Sequence, residues 1–258
     1  MTDAGDPPMP EVGQARRPAL GPAELDELMH LRGEFTRFML EHQFGIEEMK
    51  TKIEILRLEF VHLHDHSPIE HVSARLKSPE SIIAKVARKG PDASFEAIRA
   101  AVTDIAGLRI TCSFVSDVYR VAEMLTRQED LTVLATKDFI AEPKSNGYRS
   151  LHLLVQIPVF LSDEVVPVTV EIQLRTVAMD FWASLEHKIH YKYQREVPAA
   201  VREGLQRSAR TAIELDELME DLHRAVHGDA PDERSRGGSV VPADEVLQHL
   251  RRIREARG

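Results

Sequence analysis

Between Val166 and Arg175 the chain reads Val-Pro-Val-Thr-Val-Glu-Ile-Gln-Leu-Arg. Side chains alternate along an extended strand, and same-face neighbours stand about 6.6 Å apart. Val168, Val170, Ile172 and Leu174 therefore face one way, and Thr169, Glu171, Gln173 and Arg175 the other. A carboxylate, an amide and a guanidinium on one surface are either the solvated side of an antiparallel sheet or the floor of a polar site. A second cluster, Asp104-Ile105-Ala106-Gly107-Leu108-Arg109, sets an acid and a base on either side of a small Ala-Gly step entering a strand. A carboxylate there, with another on a nearby strand, could hold Mg²⁺, which takes a few carboxylates together with phosphate oxygens and water. Arg109 could meet a phosphate or a base face, and the plainer reading is a surface Asp–Arg pair.

Two more groups point to phosphates and bases. Arg75, Lys77, Lys85, Arg88 and Lys89 concentrate positive charge just upstream, with Lys85 and Lys89 on one helix face. Ser81 falls in the first turn of that helix, where free backbone N–H groups favour an anion. The cluster suits a polyphosphate, against the ordinary alternative of a solvated helix face. Downstream, Lys144-Ser145-Asn146-Gly147-Tyr148-Arg149-Ser150-Leu151-His152 uses a glycine turn to deliver Tyr148 and His152 to one face of a strand start. A ring flanked by Lys, Arg and His suits stacking on a purine with its phosphates close by. Two other signals are weaker. His62-Leu63-His64-Asp65-His66 resembles a metal cluster but lacks the further ligands a phosphohydrolase needs, and His187 with His190 lacks a third ligand.

These residues need a scaffold. Ile46, Met49, Ile53, Leu56, Phe60 and Leu63 recur at three- and four-residue spacing, one stripe of a helix. A shorter helix is expected over Pro79–Lys89, with Ser78 as N-cap and Gly90-Pro91 as its stop. Strand signals cover Leu108–Val115, Leu131–Ile140, Ser150–Phe160 and Pro167–Thr176, with a helix at about 116–128 between the first two. Helices at about Val177–Tyr193 and Pro198–His227 close the domain, packed on their own sheet or forming a subunit interface. This is an α/β (α+β) pattern with a mixed sheet flanked by helices. Residues 1–22 read as a disordered arm, 23–227 as the folded domain, and 228–258 as a flexible tail with a short basic-ended helix over Ala243–Arg257.

Composition sets outer limits. The chain has 258 residues, 43% hydrophobic and 29% charged, which fits a folded protein with a core of aliphatic residues. Its net charge of −9, from 33 Lys and Arg against 42 Asp and Glu, argues against constitutive duplex binding. A single cysteine excludes an intramolecular disulfide framework and a multi-Cys zinc site, and Cys112 lies in an apolar run that reads as packing. With neither a secretory signal nor a run of roughly 18 apolar residues, the reading is a cytoplasmic protein with no membrane partner.

In order along the chain, RLKSPESIIAK, DIAGLR, PKSNGYRSLH, VEIQLRT and AMDFWASLEHKIHYKY resemble the (p)ppGpp synthetase domain of the RelA/SpoT family. The likeness covers about residues 45–195 and looks like a small alarmone synthetase without a hydrolase domain. It implies a nucleotidyltransferase-like fold and transfer of pyrophosphate from ATP to the ribose 3′-hydroxyl of GDP or GTP, with release of AMP. By the family pattern Asp104 and Glu171 hold Mg²⁺, and Glu171 also serves as the base. Arg75 and Arg109 sandwich the adenine, while Lys77, Ser81, Lys85 and Arg88 contact the ATP phosphates. Tyr148 stacks on guanine, Lys144 and His152 lie near the acceptor phosphates or ribose, and Gln173 supports the site. Asp180, where some relatives have Asn, is expected to select guanine. Lys137 stands where related enzymes often place an Arg that contacts phosphate, and His71-Val72-Ser73 replaces an aromatic and a Thr of tetrameric relatives. The family also implies a homotetramer. The rival readings are a single-stranded RNA-binding regulator, an alarmone sensor and a generic nucleotidyltransferase that releases pyrophosphate.

Overall fold

The computed structural model describes residues 21–64, 66–90, 94–192, 197–227 and 251–255. The chain divides into two compact units, residues 1–37 and 38–258. Helix α1 (Pro22–Leu63) begins in the first, where the described residues bury no side chain and Leu25, Leu28, Met29 and Leu31 are exposed. In the second unit α1 buries Ile46, Met49, Ile53 and Phe60 of the expected stripe, while Leu56 is half-buried and Leu63, at the helix end, is exposed. The expected arm over residues 1–22 lies outside the described residues except at its end, where α1 starts. Of the expected tail, only 251–255 is described, and it is helical.

The rest of the second unit runs β1 (Ile69–Leu76), α2 (Pro79–Lys89), α3 (Phe95–Ala101), β2 (Ala106–Cys112), α4 (Val115–Thr126), β3 (Thr132–Asp138), β4 (Leu151–Phe160), β5 (Val165–Thr176), α5 (Val177–Lys192) and α6 (Ala199–His227). The five strands form one sheet in the order β1-β2-β5-β4-β3. β2 and β5 run parallel and the other neighbours antiparallel, so the sheet is mixed as expected. α2 starts where its sequence says: the Ser78 hydroxyl accepts from the Ser81 amide at 3.3 Å, Pro79 opens the helix, and Gly90 ends it at φ +68°.

One sheet face is the core. Leu108 and Ile110 of β2, Leu151, Leu153, Val155 and Ile157 of β4, and Val168, Val170, Ile172 and Leu174 of β5 pack with Ile46, Met49 and Ile53 of α1 and Val118, Val121 and Leu125 of α4. Gly45 lets α1 settle there, because a Cβ at that position would stand 2.5 Å from Val168 Cγ1. Cys112 is fully buried in this core. No described helix is long and apolar enough to cross a membrane.

Two elements have no counterpart in the sequence reading. β1 is an edge strand with only Ile69 buried; Val72, Ala74 and Leu76 alternate with Ser73 and Arg75, but the run is short and breaks at Glu70-His71, where the register shifts. α3 spans seven residues and buries none of them, too short for a helical stripe to show.

Candidate active site

Strand register gathers the chemistry on the face opposite the core. One rung across the sheet runs Ser73, Arg109, Gln173, His152 and Lys137. A rung on the same face, two residues along, runs Arg75, Gly107, Glu171, Leu154 and Ala135. Residues read from four separate sequence segments thus become neighbours by pairing alone. A cavity of about 300 Å³ opens over them, lined by Arg75, Lys77, Asp104, Arg109, Glu171 and Gln173 among others. Gly107 lies in its wall, where a side chain would project into the space.

Asp104 sits just before β2 and receives both nearby lysines, Lys85 Nζ on Oδ1 at 2.7 Å and Lys77 Nζ on Oδ2 at 3.1 Å. Burial pushes its carboxyl up, but the two lysine hydrogen bonds and their charges outweigh that and hold it below the usual range. Glu171 is held by His152 Nδ1, 3.4 Å from Oε1, and by Gln173 Nε2, which donates to Oε2 at 3.1 Å. The hydrogen bond from His152 keeps Glu171 below the usual carboxylate range against its burial; Gln173 adds to this and the charge of Asp104 opposes it. Both acids are therefore ionised at neutral pH, within each other's field, in one cavity. Among the described residues no group of three or more His, Cys, Asp or Glu side chains could hold a metal. Two carboxylates with room for phosphate oxygens nevertheless fit Mg²⁺, which seldom takes an all-protein cage.

The other end of the site is aromatic. Gly147, at φ +93°, turns the chain into Tyr148, and Asn146 Oδ1 accepts from the Tyr148 amide at 3.2 Å. Tyr148 Oη lies 2.7 Å from His152 Nε2, and Phe139 meets both rings edge-on. Lys144 Nζ stands over the Phe139 and Tyr148 rings, 4.5 and 4.7 Å from their centroids. α5 and α6 back the turn: Trp182 Nε1 donates to the Leu205 carbonyl at 3.1 Å and Ser208 Oγ at 3.2 Å.

Of the residues singled out from sequence, Arg75, Lys77, Lys85, Asp104, Arg109, His152, Glu171 and Gln173 gather around the polar cavity. Tyr148 and Lys144 form its aromatic border with Phe139. Asp180, in the first turn of α5, accepts from Arg175 Nη1 at 3.1 Å and pairs by charge with Arg109 Nη1 at 3.2 Å, both at Oδ1. Ser81 is half-buried in the first turn of α2, Arg88 is exposed in its last, and Lys137 is exposed on β3 beside His152. Sequence reasoning placed Arg175 on the polar face but gave it no role, although its alternation with Glu171 and Gln173 was the available signal. A larger cavity of about 1010 Å³ between α5 and α6 is lined largely by apolar residues such as Phe181, Leu185 and Met219 and shares none of the polar cavity's residues.

Comparison with known proteins gives the family. Residues 74–196 match the family model described as the region found in RelA / SpoT proteins. The chain is 43% identical to the GTP pyrophosphokinase YwaC of Bacillus subtilis (strain 168) over 207 residues, 80% of this chain and 99% of that one. Among solved structures it resembles small alarmone synthetase 2 from Bacillus subtilis, with TM-score 0.69 and 44% identity over 74% of this chain and 99% of the other. Small alarmone synthetase 1 from the same organism, bound to its product pppGpp, matches with TM-score 0.69 and 42% identity over 75% and 98%. Likeness of this depth over nearly the full length of such enzymes means that the chain belongs to the RelA/SpoT family.

Proposed function

We propose that the chain is a GTP pyrophosphokinase, moving the β,γ-pyrophosphate of ATP to the 3′-hydroxyl of GDP or GTP and releasing AMP. The observation that carries this reading is the polar sheet face itself: two ionised carboxylates with a Lys/Arg cluster on one side and a tyrosine platform on the other. The acceptor's 3′-oxygen forms a bond to the β-phosphorus of ATP, and the bond from that phosphorus to the α,β-bridging oxygen breaks, so AMP leaves. Glu171 takes the hydroxyl proton. Arg75 and Arg109, on neighbouring strands and one face, hold the adenine between them. Lys77 and Lys85 turn from Asp104 to the phosphates as these arrive, with Ser81 in the first turn of α2 and Arg88 in its last. Tyr148 stacks on guanine, and Lys144, Lys137 and His152 receive the acceptor's phosphates and ribose. Gln173 steadies Glu171, and Asp180 reads the guanine edge. Asp104 and Glu171 would hold Mg²⁺, which when bound neutralises phosphate charge during the transfer. Catalysis then rests on positioning and charge stabilisation, as in other phosphoryl transfers.

We infer from the product class that the enzyme serves alarmone signalling, the stringent response. We also propose that the chain works as a homo-oligomer. Leu215, Leu218, Met219, Leu222 and Val226 leave one side of α6 apolar and exposed, beside the large cavity, a surface suited to a second copy.

The test is incubation with γ-labelled ATP, Mg²⁺ and either GDP or GTP, followed by nucleotide separation. Label in ppGpp or pppGpp with equimolar AMP, abolished in Glu171→Ala, is expected. Release of pyrophosphate, or no product from folded protein, would overturn the reading.

A further inference from the structure

Arg175 near the end of β5 is only 4% exposed. Its Nη1 donates to Asp180 Oδ1 at 3.1 Å, and its Nη2 donates to Tyr148 Oη at 2.7 Å and Gln173 Oε1 at 2.9 Å. Its Nε is buried with no hydrogen-bond partner. A buried cation with an unsatisfied donor is poor material for stability, since desolvation opposes it and an apolar side chain would fill the space more favourably. Its value lies in what it orients.

The direction of each bond follows from the donor. A guanidinium cannot accept, so the Tyr148 oxygen accepts from Arg175, and with the acceptor-only Glu171 carboxylate beside Nδ1 a neutral His152 leaves Nε2, 2.7 Å away, to take the phenol proton. An imidazole accepting at Nε2 carries its hydrogen on Nδ1, the atom 3.4 Å from Glu171 Oε1. By a second route, Arg175 takes the Gln173 carbonyl oxygen, which turns the Gln173 amide nitrogen toward Glu171 Oε2 at 3.1 Å. Both routes start at one guanidinium and end on the two oxygens of one carboxylate.

We propose that Arg175 is a positioning residue for pyrophosphate transfer, fixing the acceptor ring, one His152 tautomer and both oxygens of the base carboxylate as a single unit. This rests on the reading of Tyr148 as acceptor platform and Glu171 as base. Asp180, shared with Arg109, ties the same unit to the ATP side of the site.

Two readouts test it. The first is the imidazole nitrogen NMR spectrum of the full chain without nucleotide, where His152 is expected as the Nδ1–H tautomer. Arg175→Lys and Tyr148→Phe should each convert it to a tautomer mixture. The second is kinetics: Arg175→Lys should lower kcat on the order of 10²-fold. The KM for ATP should stay within about threefold. An Nε2–H tautomer in the unmodified protein, an unchanged His152 spectrum in Arg175→Lys, or wild-type kcat in that folded variant would each overturn the proposal. If Arg175→Lys does not fold, Tyr148→Phe, which leaves the guanidinium in place, decides through the same His152 signal. Absence of pppGpp or ppGpp from the unmodified enzyme would defeat the functional reading instead, while the spectrum still reports on the hydrogen-bond chain.

Discussion

Gly147 joins the acceptor platform to α6, and replacing it tests both at once. At φ +93° an L side chain is strained, and an added Cβ would stand 2.5 Å from Ala209 Cβ and 3.7 Å from Trp182 Cζ2. Ala209 has no rotamer by which its methyl could yield. The backbone term for Gly147→Ala is about 1–2 kcal/mol, and the steric term about 1–3 kcal/mol. Restricting the unfolded chain returns roughly 0.4–1 kcal/mol. A net loss of about 1–4.5 kcal/mol should lower Tm by roughly 2–18 °C for a chain of this size. Where the loop relaxes instead, Tyr148 moves with it, so the KM for GDP or GTP should rise while that for ATP changes little. Thermal unfolding followed by circular dichroism, with acceptor kinetics at saturating ATP, measures both. The double variant with Ala209→Gly isolates the steric part, and the cycle should show a coupling of about 1–3 kcal/mol. Coupling below about 0.5 kcal/mol, with an unchanged acceptor KM, would refute the contact argument.

Burial holds the His42 imidazole below its ordinary value of 6.5, with the charge of Arg99 adding and the Phe38 carbonyl and Glu41 opposing. The unfolded chain then binds more protons between the native value and 6.5, so stability rises with pH through that window and levels off above it. Urea titrations should show this slope, and His42→Leu should flatten it; an unchanged slope would mean another group is responsible. Burial also pushes the Cys112 thiol far up, with the charges of Asp117 and Glu70 adding, so a thiol reagent should leave the native protein unlabelled and react at once in denaturant. Rapid native labelling would show that β2 opens. Lys85→Met removes one of the two cations on Asp104, and kcat/KM for ATP should fall by about 10- to 100-fold, the worth of one charge-assisted hydrogen bond. Acceptor KM should move far less, and an equal rise in both would contradict the division of the site.

Much of this site was legible because period-two alternation survives intact in β5. The same pattern that buries Val168, Val170, Ile172 and Leu174 delivers Glu171, Gln173 and Arg175 to the opposite face. α2 was equally readable, since Ser78, Pro79 and Gly90 are local signals that need no tertiary partner. Before Phe38 the described part of α1 buries nothing, and the sequence reading follows its apolar stripe only from Ile46 onward. β1 carries a weak signature, since its alternation spans only Val72 to Leu76 and breaks where the register shifts beside Glu70, yet its pairing with β2 places Arg75 opposite Gly107. Partner choice was the other illegible part. Alternation assigns Arg175 a face, but no spacing rule reveals that one guanidinium would meet Tyr148, Gln173 and Asp180 together.

The chain contains one tryptophan, and its indole sits at the junction of α5, α6 and the Gly147 turn. The protein therefore carries a built-in optical reporter, whose ultraviolet emission samples that one junction with no background from a second indole. Loss of the bonds to Leu205 and Ser208 would expose the ring to water and shift its emission to the red. Stopped-flow fluorescence on unlabelled protein can thus time the settling of the acceptor loop separately from product formation.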